Sequence, residues 1–329
     1  MGYSAVIIRH VFAAGIASLA MFAGTPHGSA AEYPNQPIKI VVPYTPGTGY
    51  DTIARSIGPK LSERLGQPVV VENKPGASST IGAAQVAKAA PDGYTLVMIG
   101  EGTVAASFLY PDPGYDTVKD FEPISLAGYG TLMVVTNPMT GIKTLDDFIK
   151  AAKAKPGKFN YASPGTGTSQ HLKMEMFKSA ADIDIVHVPY KGSAPALNDL
   201  LGGQVDFALV PVHQALTHVQ AGKLVPLAII SPERSQKVPN VPTLKEAGFQ
   251  GVDANMWYAI MAPKKTPSAI VSKLSAEIAG ILKSPDTKKT IEASGIDVVG
   301  ADGKVLTGII ANEAVTSSDI IKKNKIVLE

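Results

Sequence analysis

Cysteine is absent from the 329-residue chain. That excludes disulfide cross-links, cysteine-based zinc sites and thiol nucleophiles. A charge excess is missing too. Thirty Lys and Arg stand against 28 Asp and Glu, for a formal net charge of +2. No basic run stands out, so the electrostatic footprint of a nucleic-acid binder is not there. Charged residues make up 18% of the chain and hydrophobic residues 45%, which is ample material for a core and excludes wholesale disorder. No repeat of fixed short period is present. After the N-terminal segment, no apolar run approaches the roughly 20 residues that a membrane-spanning helix needs.

The N-terminal segment stands apart. Arg9 and His10 precede an alanine-rich apolar run from Val11 to Ala23, and the small residues Gly28, Ser29, Ala30 and Ala31 follow. This is the pattern of a secretory signal peptide cleaved after Ala30 or Ala31. Residues 1–31 are therefore expected to be removed, leaving an exported chain that in a bacterium is periplasmic.

In the mature chain, short apolar runs at residues 38–43, 68–72, 94–99, 132–136, 159–162, 185–189, 207–210 and 226–231 read as strands. Amphipathic patterns at 50–65, 80–89, 145–155, 169–180, 195–201 and 214–221 read as helices between them. Near-continuous apolar strands alternating with helices predict an α/β fold with parallel sheets covered on both faces. In the first helix Ile53, Ile57, Leu61 and Leu65 recur every fourth residue and form one buried stripe. Gly66 ends that helix, and Pro59 inside it predicts a kink near Arg55.

Two stretches read as boundaries, residues 112–130 and 248–255, each leading into an extended apolar segment. The segments at 132–136 and 257–263 are expected to pair antiparallel as a two-strand hinge. The predicted organisation is lobe 1 at 32–131, lobe 2 at 132–257, and a return to lobe 1 at 258–329.

The chemistry concentrates in four turns between strand and helix. The first is Pro43-Tyr44-Thr45-Pro46-Gly47-Thr48-Gly49-Tyr50-Asp51. Such a turn aims unpaired N–H groups outward from a helix N-terminus, and this is a site for anions. The turn from His187 through Tyr190, Lys191, Gly192, Ser193 and Ala194 to Pro195 has the same form, with Ser193 or Ala194 as the expected helix cap. Ser163-Pro164-Gly165-Thr166-Gly167-Thr168-Ser169, ahead of His171, is a third, and Pro75-Gly76-Ala77-Ser78-Ser79-Thr80 a fourth. Turns at the carboxyl ends of parallel strands are where ligands bind. Asp51 either caps its own helix or shapes the ligand loop. Lys191 either pairs with an anion or is solvated. Glu101 lies either on the surface or in the cleft, where it would repel a carboxylate or bind an amino group. Tyr44 and Tyr190 are the aromatics placed to line a pocket.

Catalytic signatures are thin. The mature chain has four histidines, His171, His187, His213 and His218. His171 and Glu175 share a helix face, but no second pair at ligand spacing accompanies them, so neither metal nor cofactor is predicted. There is no G-x-S-x-G elbow and no phosphate-binding P-loop.

The chain resembles the substrate-binding proteins of tripartite tricarboxylate transporters, the Bug family. The resemblance runs from Tyr33 to about Ser294 and is carried by residues 37–51, Leu65-Gly66-Gln67-Pro68 with Glu72-Asn73-Lys74-Pro75-Gly76-Ala77, Pro91-Asp92-Gly93-Tyr94, Asp120-Phe121, residues 162–172 and 187–196, and Pro242-Thr243. It implies a two-lobed, periplasmic-binding-protein-like (type II) fold with a ligand cleft between lobes. It also implies a receptor that hands a small carboxylate to membrane permease subunits, or that presents it to a sensor kinase; a monomer is the default expectation. An enzyme using His171 is the remaining alternative. Carried over by position, the gripping residues are Tyr44, Gly47, Thr48, Asp51, Ser163, Thr166, His171, Tyr190, Gly192, Ser193 and Ala194. The chain departs from the family pattern at Thr48, in place of a second glycine, at Ser78 and Ser79, and at Glu101. Ser78, Ser79 and Glu101 are expected to reach the variable end of the ligand.

Overall fold

Apolar strands need cover on both faces, and the helices between them provide it. In the computed structural model, which describes residues 33–252 and 255–328, this produces two sheets. The segment read as a signal peptide lies outside the described residues. In chain order the elements are β1 (Ile38–Val42), α1 (Gly49–Leu65), β2 (Val69–Asn73), α2 (Thr80–Ala87), β3 (Thr95–Ile99), α3 (Glu101–Leu109), β4 (Phe121–Gly130) and β5 (Leu132–Thr136). There follow α4 (Leu145–Ala154), β6 (Asn160–Ser163), α5 (Ser169–Ala181), β7 (Val186–Pro189), α6 (Ser193–Leu201), β8 (Phe207–Pro211), α7 (Val212–Gln220) and β9 (Val225–Ile230). The chain ends with β10 (Met256–Pro263), α8 (Ser268–Leu282), α9 (Pro285–Ala293), β11 (Ile296–Asp302) and α10 (Lys304–Lys323).

The two sheets are built to one plan. The first has the order β2-β1-β3-β10-β4-β11 and the second β7-β6-β8-β5-β9. Each begins with three parallel strands. Each then accepts one antiparallel strand, β10 or β5, at the point where the chain arrives from the other sheet. The fold is thus the two-lobed α/β arrangement expected.

The crossing differs in detail from the expectation. Residues 132–136 form β5, which pairs with β8 and β9 inside the second sheet. β10 pairs antiparallel with β3 on one side and with β4 on the other, the latter ending with Gly130 opposite Met256. β4 falls in the segment read above as a boundary, because Pro123, Gly128 and Gly130 argue against a strand. Two register shifts along the β4–β10 pair let the strand tolerate them. α1 is one continuous helix through Pro59. Pro59 and Arg55 are both exposed, so the carbonyl that loses its partner is on the water side. Ile53, Ile57 and Leu61 are fully buried as predicted, and Gly66 closes the helix in the left-handed conformation.

Tyr258 of β10 marks where the chain passes between lobes. Its ring meets Tyr50 edge-on at 4.7 Å, and Tyr50 stacks on Tyr44 at 4.0 Å. Glycine makes room for it. A Cβ at Gly49 or Gly130 would come within 2.6 Å of the Tyr258 hydroxyl. Gly130→Ala is therefore expected to lower unfolding free energy by about 1–3 kcal/mol through overpacking. Gly308→Ala in α10, where a Cβ meets nothing within 4 Å, is the control, expected to be neutral or to stabilise by up to about 1 kcal/mol. Urea-unfolding midpoints measure both.

Candidate functional site: a cleft at facing helix N-termini

A crevice opens in an open sheet where successive βα units run off in opposite directions. In the first sheet this reversal lies between β1 and β3, and in the second between β6 and β8. The helices that follow those four strands are α1, α3, α5 and α7, and their N-termini meet around one inner cavity of about 60 Å³. Thr48, Gly49 and Tyr50 line it from α1, and Gly102 from α3. Thr168, Ser169 and Gln170 line it from α5, and Pro211 and Gln214 from the start of α7. The N-cap residues Thr48, Gly100, Thr168 and Pro211 make no side-chain cap. Among the first-turn N–H groups, that of Thr103 donates to the Gly100 carbonyl and that of Val212 to the Thr131 carbonyl, each at 3.0 Å; the others face the cavity without a side-chain cap.

An outer cleft of about 740 Å³ continues from it. Its walls are the turns that follow the edge strands. Residues 75–79 come after β2 and residues 189–193 after β7, joined by Thr166, Tyr110 and Leu328. Tyr44, Thr48, Ser78, Pro164, Thr168 and Ser193 line both spaces, which makes them one site.

Several wall hydroxyls are already committed as donors. Thr48 Oγ1 donates to the Thr45 carbonyl at 3.1 Å, Thr168 Oγ1 to Gly165 at 2.7 Å, and Ser78 Oγ across the cleft to the Thr166 carbonyl at 2.6 Å. The donors left for a ligand are backbone N–H groups, the Gln170 and Gln214 amides and Ser193, with Lys191 on the wall of the outer cleft. Such a set suits an anion.

A rigid layer stands behind these turns. Asp51 accepts the Gly47 N–H at 3.0 Å, Asn73 Nδ2 at 2.9 Å and Arg55 Nε at 2.9 Å. Burial alone would raise its pKa, but the Gly47 N–H, Asn73 and Arg55 outweigh burial and hold it below the ordinary carboxylate value. In the second lobe the Gly167 N–H donates to His171 Nδ1 at 3.1 Å, and Ser163 Oγ lies 2.6 Å from His187 Nε2. The two imidazoles stack at 3.9 Å. Burial, with help from Lys178, lowers His171 to about 4. Burial, with His171 and Lys178 adding to it against Glu175, lowers His187 to about 3.

Of the residues singled out from sequence, Tyr44, Thr48, Ser78, Ser79, Thr166, Tyr190, Gly192 and Ser193 line the cleft. Gly47, Asp51, Ser163 and His171 sit behind it and shape its turns. Ala194 lies in the first turn of α6, whose cap is Gly192 rather than Ser193 or Ala194. Glu101 is neither on the surface nor free in the cleft. It is 3% exposed and its carboxylate is held by Lys173 at 3.1 Å and by the Ser169 hydroxyl. β3 runs directly into α3 at that residue, which aims the side chain at the facing start of α5. Glu175, weighed above as a metal partner of His171, instead accepts from the Tyr161 hydroxyl and Lys178, each at 2.7 Å. Gln170, Gln214, Tyr258, Tyr110 and Leu328 line the site without having been singled out. None lies in a glycine-rich turn, and no local signal marks them.

A two-lobed α/β protein with one anion-suited cleft at opposed helix N-termini is a solute-binding protein by architecture. Residues 53–326 match the model of the tripartite tricarboxylate transporter family receptor. The chain belongs to that family of solute-binding receptors, the Bug proteins. It is 37% identical to BugT of Bordetella pertussis over 90% of this chain and 91% of that one. Among solved structures it is similar to R. palustris Rpa4515 with adipate, with a TM-score of 0.83 and 30% identity over 90% of this chain and all of that one (100%). It is also similar to MatC (Rpa3494) from Rhodopseudomonas palustris with bound malate, with a TM-score of 0.81 and 32% identity over 88% of this chain and 100% of that one.

The histidine pair gives the site a pH signature. As pH falls through 6.5, the unfolded chain takes up protons that folded His171 and His187 accept only near 4 and 3. Stability therefore falls across that window. His187→Gln removes one of these sites. It is expected to flatten the loss between about pH 7 and about pH 4.5 by roughly 1–2 kcal/mol, read as unfolding midpoints against pH.

Proposed function

We propose that this chain is a periplasmic receptor. It captures a small carboxylate by closure of two lobes and delivers it to a tripartite tricarboxylate-type membrane permease. The lobes divide in this reading near residues 131 and 257, and residues 1–31 direct export. The observation that carries the proposal is the convergence of four helix N-termini without side-chain caps, two from each lobe, on one cavity. A carboxylate there receives backbone N–H donors and two pairs of helix dipoles without needing a cationic side chain.

Shape narrows the ligand. The inner cavity has room for little more than one carboxylate-sized group, and the larger outer cleft takes the remainder of the molecule. The adipate and malate named with the relatives are both dicarboxylates of that form. The rival reading, an enzyme using His171, is disfavoured by placement. That imidazole is buried behind the wall and already accepts the Gly167 N–H.

The test is a thermal-shift screen of protein refolded free of ligand, against mono-, di- and tricarboxylates. A cognate acid at about 100 times its Kd adds about 2.7 kcal/mol to the folded state, which raises Tm by several degrees. Ser193→Trp places an indole in both the inner cavity and the outer cleft. It should abolish the shift while the ligand-free Tm stays close to that of the parent. If no carboxylate raises the Tm of the refolded protein, the proposal fails.

A further inference from the structure

We propose that Glu101 and Lys173 form a latch between the lobes: positioning residues that set solute affinity by favouring closure, without gripping the solute. The inference rests on capture by closure as read above. Glu101 opens α3 in the first lobe, and Lys173 lies one turn into α5 in the second. Nζ and Oε2 are 3.1 Å apart, with the side chains 8% and 4% exposed. The second carboxylate oxygen takes the Ser169 hydroxyl. The carboxylate thus stands at the starts of two helices, one from each lobe, where both dipoles favour a negative charge.

Ser78 to the Thr166 carbonyl and Lys237 to the Glu292 carbonyl also join the lobes, but the Glu101–Lys173 pair is a buried ion pair. Leu172, next to Lys173, packs with Ala105, Leu109 and Ile326. α10 lies against both α3 and α5. The other titratable groups facing Glu101 are Glu313 of α10, which repels it, and the phenols of Tyr44, Tyr50 and Tyr258. Burial pushes the Glu101 carboxyl up to about 7, and Lys173 is the foremost influence opposing that rise. Opening the lobes returns both ends to water. Closing them with one end missing strands the other in a dry site, which is costly. Ser169 ties the latch to the cavity. It lines the inner space while giving its hydroxyl proton to Glu101, so the wall that meets solute is set by the latch.

The absence of cysteine makes the test clean. Glu63 and Lys150 are exposed, lie in opposite lobes and enter none of the ion pairs between described residues. Spin labels on Glu63→Cys/Lys150→Cys report lobe separation by pulsed EPR without ligand. In this background Lys173→Met is expected to lengthen the distances. It should also weaken binding of whichever probe, malate or adipate, binds the parent, by about tenfold or more. Adding Glu101→Gln should return both readouts most of the way.

Acidification from about pH 8 to about pH 5 should shorten the distances in Lys173→Met, because a protonated Glu101 no longer resists burial. The double variant should show no such response. A purely structural defect would not respond to pH in this way. If Lys173→Met does not fold, Glu101→Gln carries the same distance test, with the same lengthening expected. Parent-like distances and affinity in the folded single variant, or a folded double variant without recovery, overturn the latch. If neither probe binds the parent and no other carboxylate does, capture of a carboxylate fails while the distance measurement still decides the latch.

Discussion

A helix that starts where a parallel strand ends has N–H groups that nothing in the helix can satisfy. That constraint organises this molecule. Two sheets of the same plan place their reversal points face to face. The four helices that begin there would leave a row of unsatisfied donors if the space between the lobes were filled with apolar side chains. The fold instead keeps a cavity at that point and lines it with glycine, hydroxyl and amide residues alongside Pro164, Pro211 and Met256. The ligand completes what secondary structure leaves unfinished.

The electrostatics follow from the same constraint. An anion site made of backbone dipoles must keep its own carboxylates away from the ligand. Asp51 is turned backward, where Gly47, Asn73 and Arg55 occupy it. Glu101 is neutralised by Lys173 from the opposite lobe. The histidines under the second lobe's turn stay uncharged at neutral pH because burial disfavours their protonated forms. The carboxylates near the inner cavity are thus consumed in shaping it, and the charged side chain that lines the cleft is Lys191, on the outer wall.

Much of this could be read from the residues, and the gaps have physical reasons. Apolar runs alternating with amphipathic helices reveal the class, because period and length are local properties. β4 escaped because Pro123, Gly128 and Gly130 mimic a loop, and only its pairing with β10 shows that they sit in a strand. Turns rich in glycine and hydroxyls were legible as site walls because the left-handed conformations they need are themselves local. Gly47, Gly165, Gly167 and Gly192 all have positive φ. Gln214, Tyr258 and Leu328 were not legible, since distant segments carry them into the cleft. Glu101 could be placed next to a strand end, but its partner Lys173 is 72 positions away in the other lobe, beyond the reach of any local pattern.

One stretch of the outer cleft is held under tension. Ala77, Ser78 and Ser79 are consecutive non-glycine residues with φ of 44°, 50° and 82°, a conformation that L-residues adopt at a cost. The Ser78 hydroxyl bond to Thr166 pins the arch to the opposite lobe. The outline of the rim in the first lobe is thus fixed by a carbonyl that belongs to the second, and the shape of the cleft is a joint property of both lobes rather than of either alone.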